Sequence, residues 1–381
     1  MEATKIKEAK VSPLGDGRGF RIIIAGGGTG GHIFPAIAIA NAIKKLAPQT
    51  EFLFIGARGK MEMEKVPQAG YEIKGLEIAG FNRSSLIKNI GLPYKLLKSF
   101  YQVRTIFKAF NPDAAIGVGG YSSFPVLRFA QSQGIKTFIH ESNSFAGKSN
   151  IFLGRRATRI FVATDGMEKF FPAGKIMITG NPVRQTITAH TISKDDAIKH
   201  YGFNADKKTV LSIGGSLGAK NINEALDKHI ELFEKNDLQL IWQTGKPYLE
   251  KALDRCKGMQ HVYVNDFIGQ MEYAYTAADM VISRSGAMAT AELCLVKKPV
   301  LFVPYPFAAE DHQTANAKNL VNKHAALMIP DDKALDKLVP AIVSLSKDAA
   351  LQGSLKENIG NLAIENADGM IAGEILKELV K

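Results

Sequence analysis

The stretch RIIIAGGGTGGHIFPAIAIA, residues 21–40, decides how the chain is read. Arg21 to Ala25 is a short β-rich run, six residues GGGTGG follow at 26–31, and then comes an Ala- and Ile-rich segment opened by Pro35, whose fixed φ suits a first helical turn. This predicts strand, turn and helix. Further strands are predicted at Glu51–Ile55, Ala114–Val118, Thr137–His140, Arg159–Val162 and Lys175–Thr179, separated by segments of helical length. Such alternation makes a mainly parallel sheet with helices on both faces. The pattern restarts 188 residues after Gly26, where TVLSIGGSLGA at 209–219 leads into a predicted helix over Asn221–Phe233. Later strands are expected near Gln239–Trp242, Val262–Val264, Met280–Ser283 and Val300–Val303. Two openings of this kind predict an α/β chain with two Rossmann-like domains, joined through GNPVR at 180–184, where Gly and Pro punctuate the chain. The expected division is a leader over 1–19, a first domain over 20–180, a linker and start of the second domain over 181–208, a second domain over 209–350 and a C-terminal helix over 351–381 that packs back on the first domain.

Composition agrees with two folded domains. The 381 residues are 46% hydrophobic, enough for a sizeable core. Cys256 and Cys294 are too few for a disulfide framework and neither sits in a CxxC spacing, so a reducing compartment is expected. The polar leader lacks the apolar region of a secretory signal, and the apolar run after His32 ends at Lys44 and Lys45, short of the roughly 18 to 20 residues that span a bilayer. A cytoplasmic location follows as the expectation. The net charge of +11 is uneven: residues 1–180 hold 25 Lys or Arg and 12 Asp or Glu, residues 181–381 hold 23 and 25. Between Glu77 and Asp113 the cations Arg83, Lys88, Lys95, Lys98, Arg104 and Lys108 alternate with large apolar residues and meet no acidic one. An anionic lipid surface uses both properties, with Lys88, Lys95, Lys98 and Lys108 facing it. The plainer reading is a core helix with its lysines in water. No zinc finger, recognition helix or repeated aromatic platform points to nucleic acid.

A glycine-rich turn after a strand sets ligand phosphate against the amides of a helix N-terminus. A nicotinamide cofactor would also require an acidic residue ending the second strand, which here ends Phe54, Ile55, Gly56, and neither glycine loop continues as the GK-Ser/Thr of a P-loop. The sharper constellation lies later. SRSGAMATAEL at 283–293 follows a strand and opens a helix, so the amides of Gly286, Ala287, Met288 and Ala289 can face a diphosphate. Glu292, one turn past Met288, can accept both hydrogen bonds of a ribose diol; the plainer reading is a surface glutamate. In VPYPFAAEDHQTANA at 303–317, His312, Gln313 and Asn316 share one face of a helix start and suit sugar hydroxyls, or are simply solvated.

Taken in order, GGGTGGHIFPAIAIA, HESNSFAGKSN at 140–150, GNPVR, GGSLGA, DFIGQMEYAYTAAD at 266–279, SRSGAMATAEL and PYPFAAEDHQTANA resemble the MurG family, the N-acetylglucosaminyltransferases of peptidoglycan synthesis and thus of cell-wall growth and division. The resemblance implies a GT-B glycosyltransferase fold, with two Rossmann-like domains facing each other across a cleft, and the transfer of N-acetylglucosamine from UDP-GlcNAc to undecaprenyl-linked lipid I, giving lipid II. It implies a peripheral place on the cytoplasmic face of the bacterial plasma membrane, other cell-wall synthesis proteins as partners, and no cofactor. By the same resemblance, Ile268 and Met271 line the uracil pocket, Ser216 and Arg184 lie near the nucleotide and its diphosphate, and Glu292 holds the ribose. Gln313, Asn316 and His312 approach the GlcNAc hydroxyls. In the first loop, Gly28 and Gly31 are assigned to the acceptor and Thr29 and Gly30 to the donor, while His140 and Asn143 receive the acceptor. The chain departs from the usual family pattern by reading HESN for HEQN and by carrying Ala289 in place of a common threonine.

The implied reaction is an inverting displacement: the C4 hydroxyl of MurNAc attacks C1 of GlcNAc opposite UDP. It needs a base for the hydroxyl proton and stabilisation of the departing diphosphate. His32 is the leading base, with Glu141 in reserve; His32 could instead orient the loop or touch the acceptor diphosphate. Without a DxD pair to chelate UDP, no catalytic metal is expected. The rival readings are a UDP-GlcNAc 2-epimerase and a non-enzymatic membrane-binding protein.

Overall fold

A computed structural model describes residues 19–78, 91–183, 187, 192–215 and 217–381, the side chain of Leu92 excepted. Two compact units divide it. The first comprises residues up to Ser142, Ala146–Pro182 and the C-terminal Asn366–Lys381; the second comprises Val183–Glu365 and the short segment Asn143–Phe145.

The first unit is built on seven parallel strands: β1 (Arg21–Ala25), β2 (Glu51–Ala57), β3 (Ile73–Leu76), β4 (Ala114–Gly117), β5 (Lys136–Glu141), β6 (Arg159–Val162) and β7 (Ile176–Ile178). Their order is β3-β2-β1-β4-β5-β6-β7. Successive β1 residues supply opposite cores, Ile22 and Ile24 on one face of the sheet, Ile23 and Ala25 on the other. That is the period of two in a strand covered on both sides. The helix after β1 begins at Gly30 and so takes in part of the glycine run, five residues before the Pro35 that was expected to open it. The last helix, Ala367–Val380, belongs to this unit, and Ile371, Ala372, Ile375 and Leu376 join Ile39, Ala40 and Ile43 of the helix after β1 in one buried cluster. Arg159 at the start of β6 ties it down through Glu374 and Glu378, each at 3.1 Å.

The second unit has six parallel strands: β8 (Lys208–Ile213), β9 (Leu238–Gln243), β10 (Val262–Asn265), β11 (Met280–Ser283), β12 (Val300–Phe302) and β13 (Leu327–Met328). Their order, β10-β9-β8-β11-β12-β13, repeats the first arrangement. Each sheet therefore reverses its winding beside its first strand, between β1 and β4 and between β8 and β11, and ligands of open α/β sheets bind outside the strand ends at such points. Both glycine loops lie there. The helix expected over Asn221–Phe233 is two, Lys220–Lys228 and Glu231–Lys235. The C-terminal helix expected over 351–381 is also two: Ala349–Gly360 stays in the second unit, and only Ala367–Val380 joins the first. Short edge strands β3 and β13 were not expected.

Candidate active site

In the first unit the loop after β1 is held by a residue that motif reading passed over. Glu62, the first residue of the helix Glu62–Gln68, is 1% exposed. Its Oε2 accepts the Gly28 N–H at 2.8 Å and its Oε1 the Ala57 N–H at 3.0 Å. The carboxylate lies so close that a Cβ on Gly27, which has φ +149°, would stand 2.2 Å from its carbon. Only glycine fits there. On the other side of the loop, His32 Nδ1 is 3.0 Å from the Gly27 carbonyl oxygen and 3.3 Å from Thr29 Oγ1. A carbonyl can only accept, so Nδ1 carries the proton of a neutral ring and Nε2 carries the lone pair. Nε2 rests over Gly119, where a Cβ would meet it at 2.7 Å. The helix of Gly30–Leu46 has extended Thr29 before it and no side-chain cap, and the His32 and Ile33 N–H groups donate to the Thr29 carbonyl at 3.1 and 3.2 Å.

The other acceptor-side residues turn inward. His140, expected at the acceptor, is fully buried at the end of β5. Burial lowers its pKa to about 4, with the Gly180 backbone pulling upward and the nearby His32 ring adding to the depression. Glu141, 4% exposed, accepts from Gly147 N at 3.1 Å and Asn150 Nδ2 at 2.8 Å. Through these two bonds it braces the turn after β5.

In the second unit the helix Ala287–Val296 starts at an extended Gly286 with no side-chain cap, and a Cβ on Gly286 would meet open space. The amides of Ala287, Met288 and Ala289 thus lie in the first turn of a helix, where partial positive charge gathers. Glu292 is 8% exposed, not the surface glutamate of the plainer reading, and its Oε2 accepts the Tyr275 hydroxyl at 2.9 Å. Ile268 and Met271 are both buried in the core of this unit. Gln243, another residue not expected, binds two loops at once: its Nε2 donates to Gly215 O at 3.1 Å and its Oε1 accepts the Ile268 N–H at 3.1 Å.

The polar face after β12 is only partly available. Asn316 is 2% exposed; its Oδ1 accepts from Ser144 N at 2.8 Å, and its Nδ2 donates to Ser285 O at 3.0 Å and Asn143 Oδ1 at 3.2 Å. Both amide protons and the oxygen of Asn316 are thus engaged by the protein, and Asn143 meets it through Oδ1. Gln313 Oε1 accepts from Tyr305 N at 2.9 Å, leaving Nε2 as its donor end, and His312 Nδ1 bonds Ala309 O. Gly31 lies in the first turn of the helix after β1, beside Gly28, Thr29 and Gly30. Arg184, Ser216 and Lys88 lie outside the described residues.

On the helix Leu92–Phe110, Ser99, Val103 and Phe107 are buried, and Tyr94, Leu97 and Tyr101 are 68%, 70% and 73% exposed on the opposite face. Lys95, Arg104 and Lys108 are exposed. Lys98 is not a free cation: it pairs with Glu77 at 2.7 Å, which raises the lysine's pKa and lowers the glutamate's.

Comparison with known proteins places these features. Residues 22–162 match the glycosyltransferase family 28 N-terminal domain and residues 209–367 its C-terminal domain. A UDP-N-acetylglucosamine–N-acetylmuramyl-(pentapeptide) pyrophosphoryl-undecaprenol N-acetylglucosamine transferase of Bacteroides fragilis is 49% identical over 367 residues, 95% of this chain and 97% of that one. The protein of the same description from Flavobacterium psychrophilum is 46% identical, covering 94% of this chain and 97% of its own. The crystal structure of Acinetobacter baumannii MurG superposes with a TM-score of 0.78 at 28% identity, covering 94% of this chain and 99% of that one. A UDP-GlcNAc 2-epimerase from Neisseria meningitidis, with a TM-score of 0.65 at 15% identity over 94% of this chain and 100% of that one, shares the fold alone. With two Rossmann-like domains of the GT-B type and this degree of identity along nearly its whole length, the chain belongs to the MurG family of glycosyltransferases.

Proposed function

We propose that the chain transfers N-acetylglucosamine from UDP-GlcNAc to the C4 hydroxyl of MurNAc in lipid I, with inversion to a β1,4 linkage and release of UDP. The observation that carries this is the 49% identity over 95% of the chain to a transferase of that description. The second unit is the donor half. Its helix N-terminus at Gly286–Ala289 meets the diphosphate and the charge that develops as UDP leaves, and Glu292, oriented by Tyr275, takes the ribose hydroxyls. Gln313 and His312 serve the sugar. The first unit is the acceptor half, where the helix N-terminus after Thr29 receives the lipid-linked diphosphate and His32 Nε2 takes the proton of the attacking hydroxyl.

The lipid substrate requires a bilayer surface, because each buried methylene of a polyprenyl chain holds it there by roughly 0.8 kcal/mol. The exposed Tyr94, Leu97 and Tyr101, with Arg104 and Lys108 on the same helix, are suited to an anionic leaflet. Among the described residues no helix is long and apolar enough to cross a membrane, so attachment through this face is peripheral. The deciding experiment incubates the protein with UDP-GlcNAc and lipid I and identifies the product and its anomeric linkage. A β1,4-linked disaccharide on the lipid is expected. Conversion of UDP-GlcNAc to its 2-epimer without any acceptor would overturn the proposal.

A further inference from the structure

The N–H that Glu62 binds and the carbonyl that His32 binds belong to one peptide group. Gly27 contributes its C=O and Gly28 its N–H, so Glu62 Oε2, 2.8 Å from the amide nitrogen, and His32 Nδ1, 3.0 Å from the carbonyl oxygen, sit at its two ends. Hydrogen bonding at one end of an amide polarises the other. A carboxylate at the N–H end makes the carbonyl a stronger acceptor, which favours the Nδ1–H tautomer and stabilises the imidazolium. We infer that Glu62, through the Gly27–Gly28 peptide, is a positioning residue that fixes the tautomer of His32 and raises its basicity in glycosyl transfer.

The arrangement has the logic of the carboxylate behind a catalytic histidine, with a peptide inserted between the two. Several features keep it in register. Glu62 is 1% exposed and has its other oxygen on Ala57 N–H, so its carboxylate plane is set by two backbone donors. A Cβ on Gly56 would lie 2.4 Å from Glu62 Cγ, and one on Gly120 would lie 2.5 Å from the Gly27 carbonyl oxygen, so backbone without side chains closes around both ends of the relay. The loop cannot slip without breaking one of these contacts. Two titratable groups of the first unit bear on His32: Glu62, through the peptide, and His140 from β5, which burial keeps uncharged near neutrality. Of these two groups, only the carboxylate of Glu62 can bring a negative charge.

The inference rests on His32 as the base, and the test separates the two ideas. Glu62→Gln keeps shape but replaces the charge, and its amide group opposes one of the two N–H donors. Removing the carboxylate partner of a metal-ligating histidine typically costs about 10- to 100-fold, and a loss of that order is expected here. We expect kcat on UDP-GlcNAc and lipid I to fall by that factor, UDP affinity to stay within twofold, and the acidic limb of the kcat/KM profile to move to lower pH, since the imidazolium has lost its stabilising partner. Nitrogen-15 NMR of the full chain reads the relay without turnover. Wild-type His32 should show the Nδ1–H tautomer, and Glu62→Gln should lower its pKa and mix the tautomers. An Nε2–H tautomer in the wild type overturns the inference without any variant, and so does an unshifted His32 pKa in folded Glu62→Gln. Near-normal turnover of His32→Ala would instead overturn only the assignment of His32 as base, because the NMR result stands independently of it.

Discussion

The hydroxyl of Tyr275 lies 2.9 Å from Oε2 of Glu292, and both residues are buried, at 2% and 8% exposure. The two are 17 residues apart and come from neighbouring helices, Met271–Ala277 and Ala287–Val296. A carboxylate in that position is pre-oriented before a nucleotide arrives, so the two side chains should contribute unequally. Glu292→Ala removes the ribose acceptors and is expected to weaken UDP binding by roughly 2 to 3 kcal/mol, whereas Tyr275→Phe removes only the orienting bond and should cost about 1 kcal/mol. Calorimetric titration with UDP measures both. Affinity of Glu292→Ala within twofold of wild type would take the residue out of the site.

Chemistry and donor binding should separate at His32. His32→Ala is expected to slow turnover roughly 100-fold or more while UDP affinity hardly changes, as for a base acting on the acceptor. Equal losses in turnover and UDP affinity would place the ring on the donor instead.

His140 makes stability depend on pH. Its folded pKa, about 4, lies below the ordinary 6.5, so the unfolded chain binds a proton that the folded chain refuses. The stability it contributes is complete above about 6.5 and is lost progressively as pH falls from there toward about 4. His140→Gln should therefore flatten the dependence of melting temperature on pH across that window, whatever its effect at pH 8. An unchanged slope would mean that the ring is protonated in the folded protein.

Vesicle co-sedimentation tests the face of the helix Leu92–Phe110. Replacing Tyr94, Leu97 and Tyr101 with serine should remove most binding to anionic vesicles and spare UDP binding. Arg104→Gln with Lys108→Gln should weaken attachment by about 1 kcal/mol per charge, most clearly at low salt. Lys98→Gln should do less, since its charge is already matched by Glu77. Vesicle binding unaffected by the triple serine variant would locate the attachment elsewhere.

The C-terminal helix should be an integral part of the first unit. Ile375 is fully buried against the helix after β1, and Ile375→Ala is expected to destabilise that unit by roughly 2 to 5 kcal/mol. Chemical denaturation of the variant checks it; a loss below about 0.5 kcal/mol would show that the helix detaches without consequence.

Features that depend on neighbours along the chain were legible in its residues. Ile22 to Ala25 alternate between two buried faces, and glycines follow β1 and β8 where backbone must approach backbone, so both parallel sheets and both loops could be read from local pattern. The edge strands β3 and β13 escaped that reading because Ile73–Leu76 and Leu327–Met328 are too short to show a period. Folding in three dimensions settled which polar side chains the protein itself engages. Glu62 reaches Gly28 across 34 residues and Tyr275 reaches Glu292 across 17, and no spacing rule announces either pair. Conversely, Glu141 and Asn316 stand within motifs yet spend their hydrogen bonds on Gly147, Asn150, Ser144 and Ser285. A residue type states how many hydrogen bonds a side chain can make, but burial and the backbone groups brought beside it by folding determine where those bonds go.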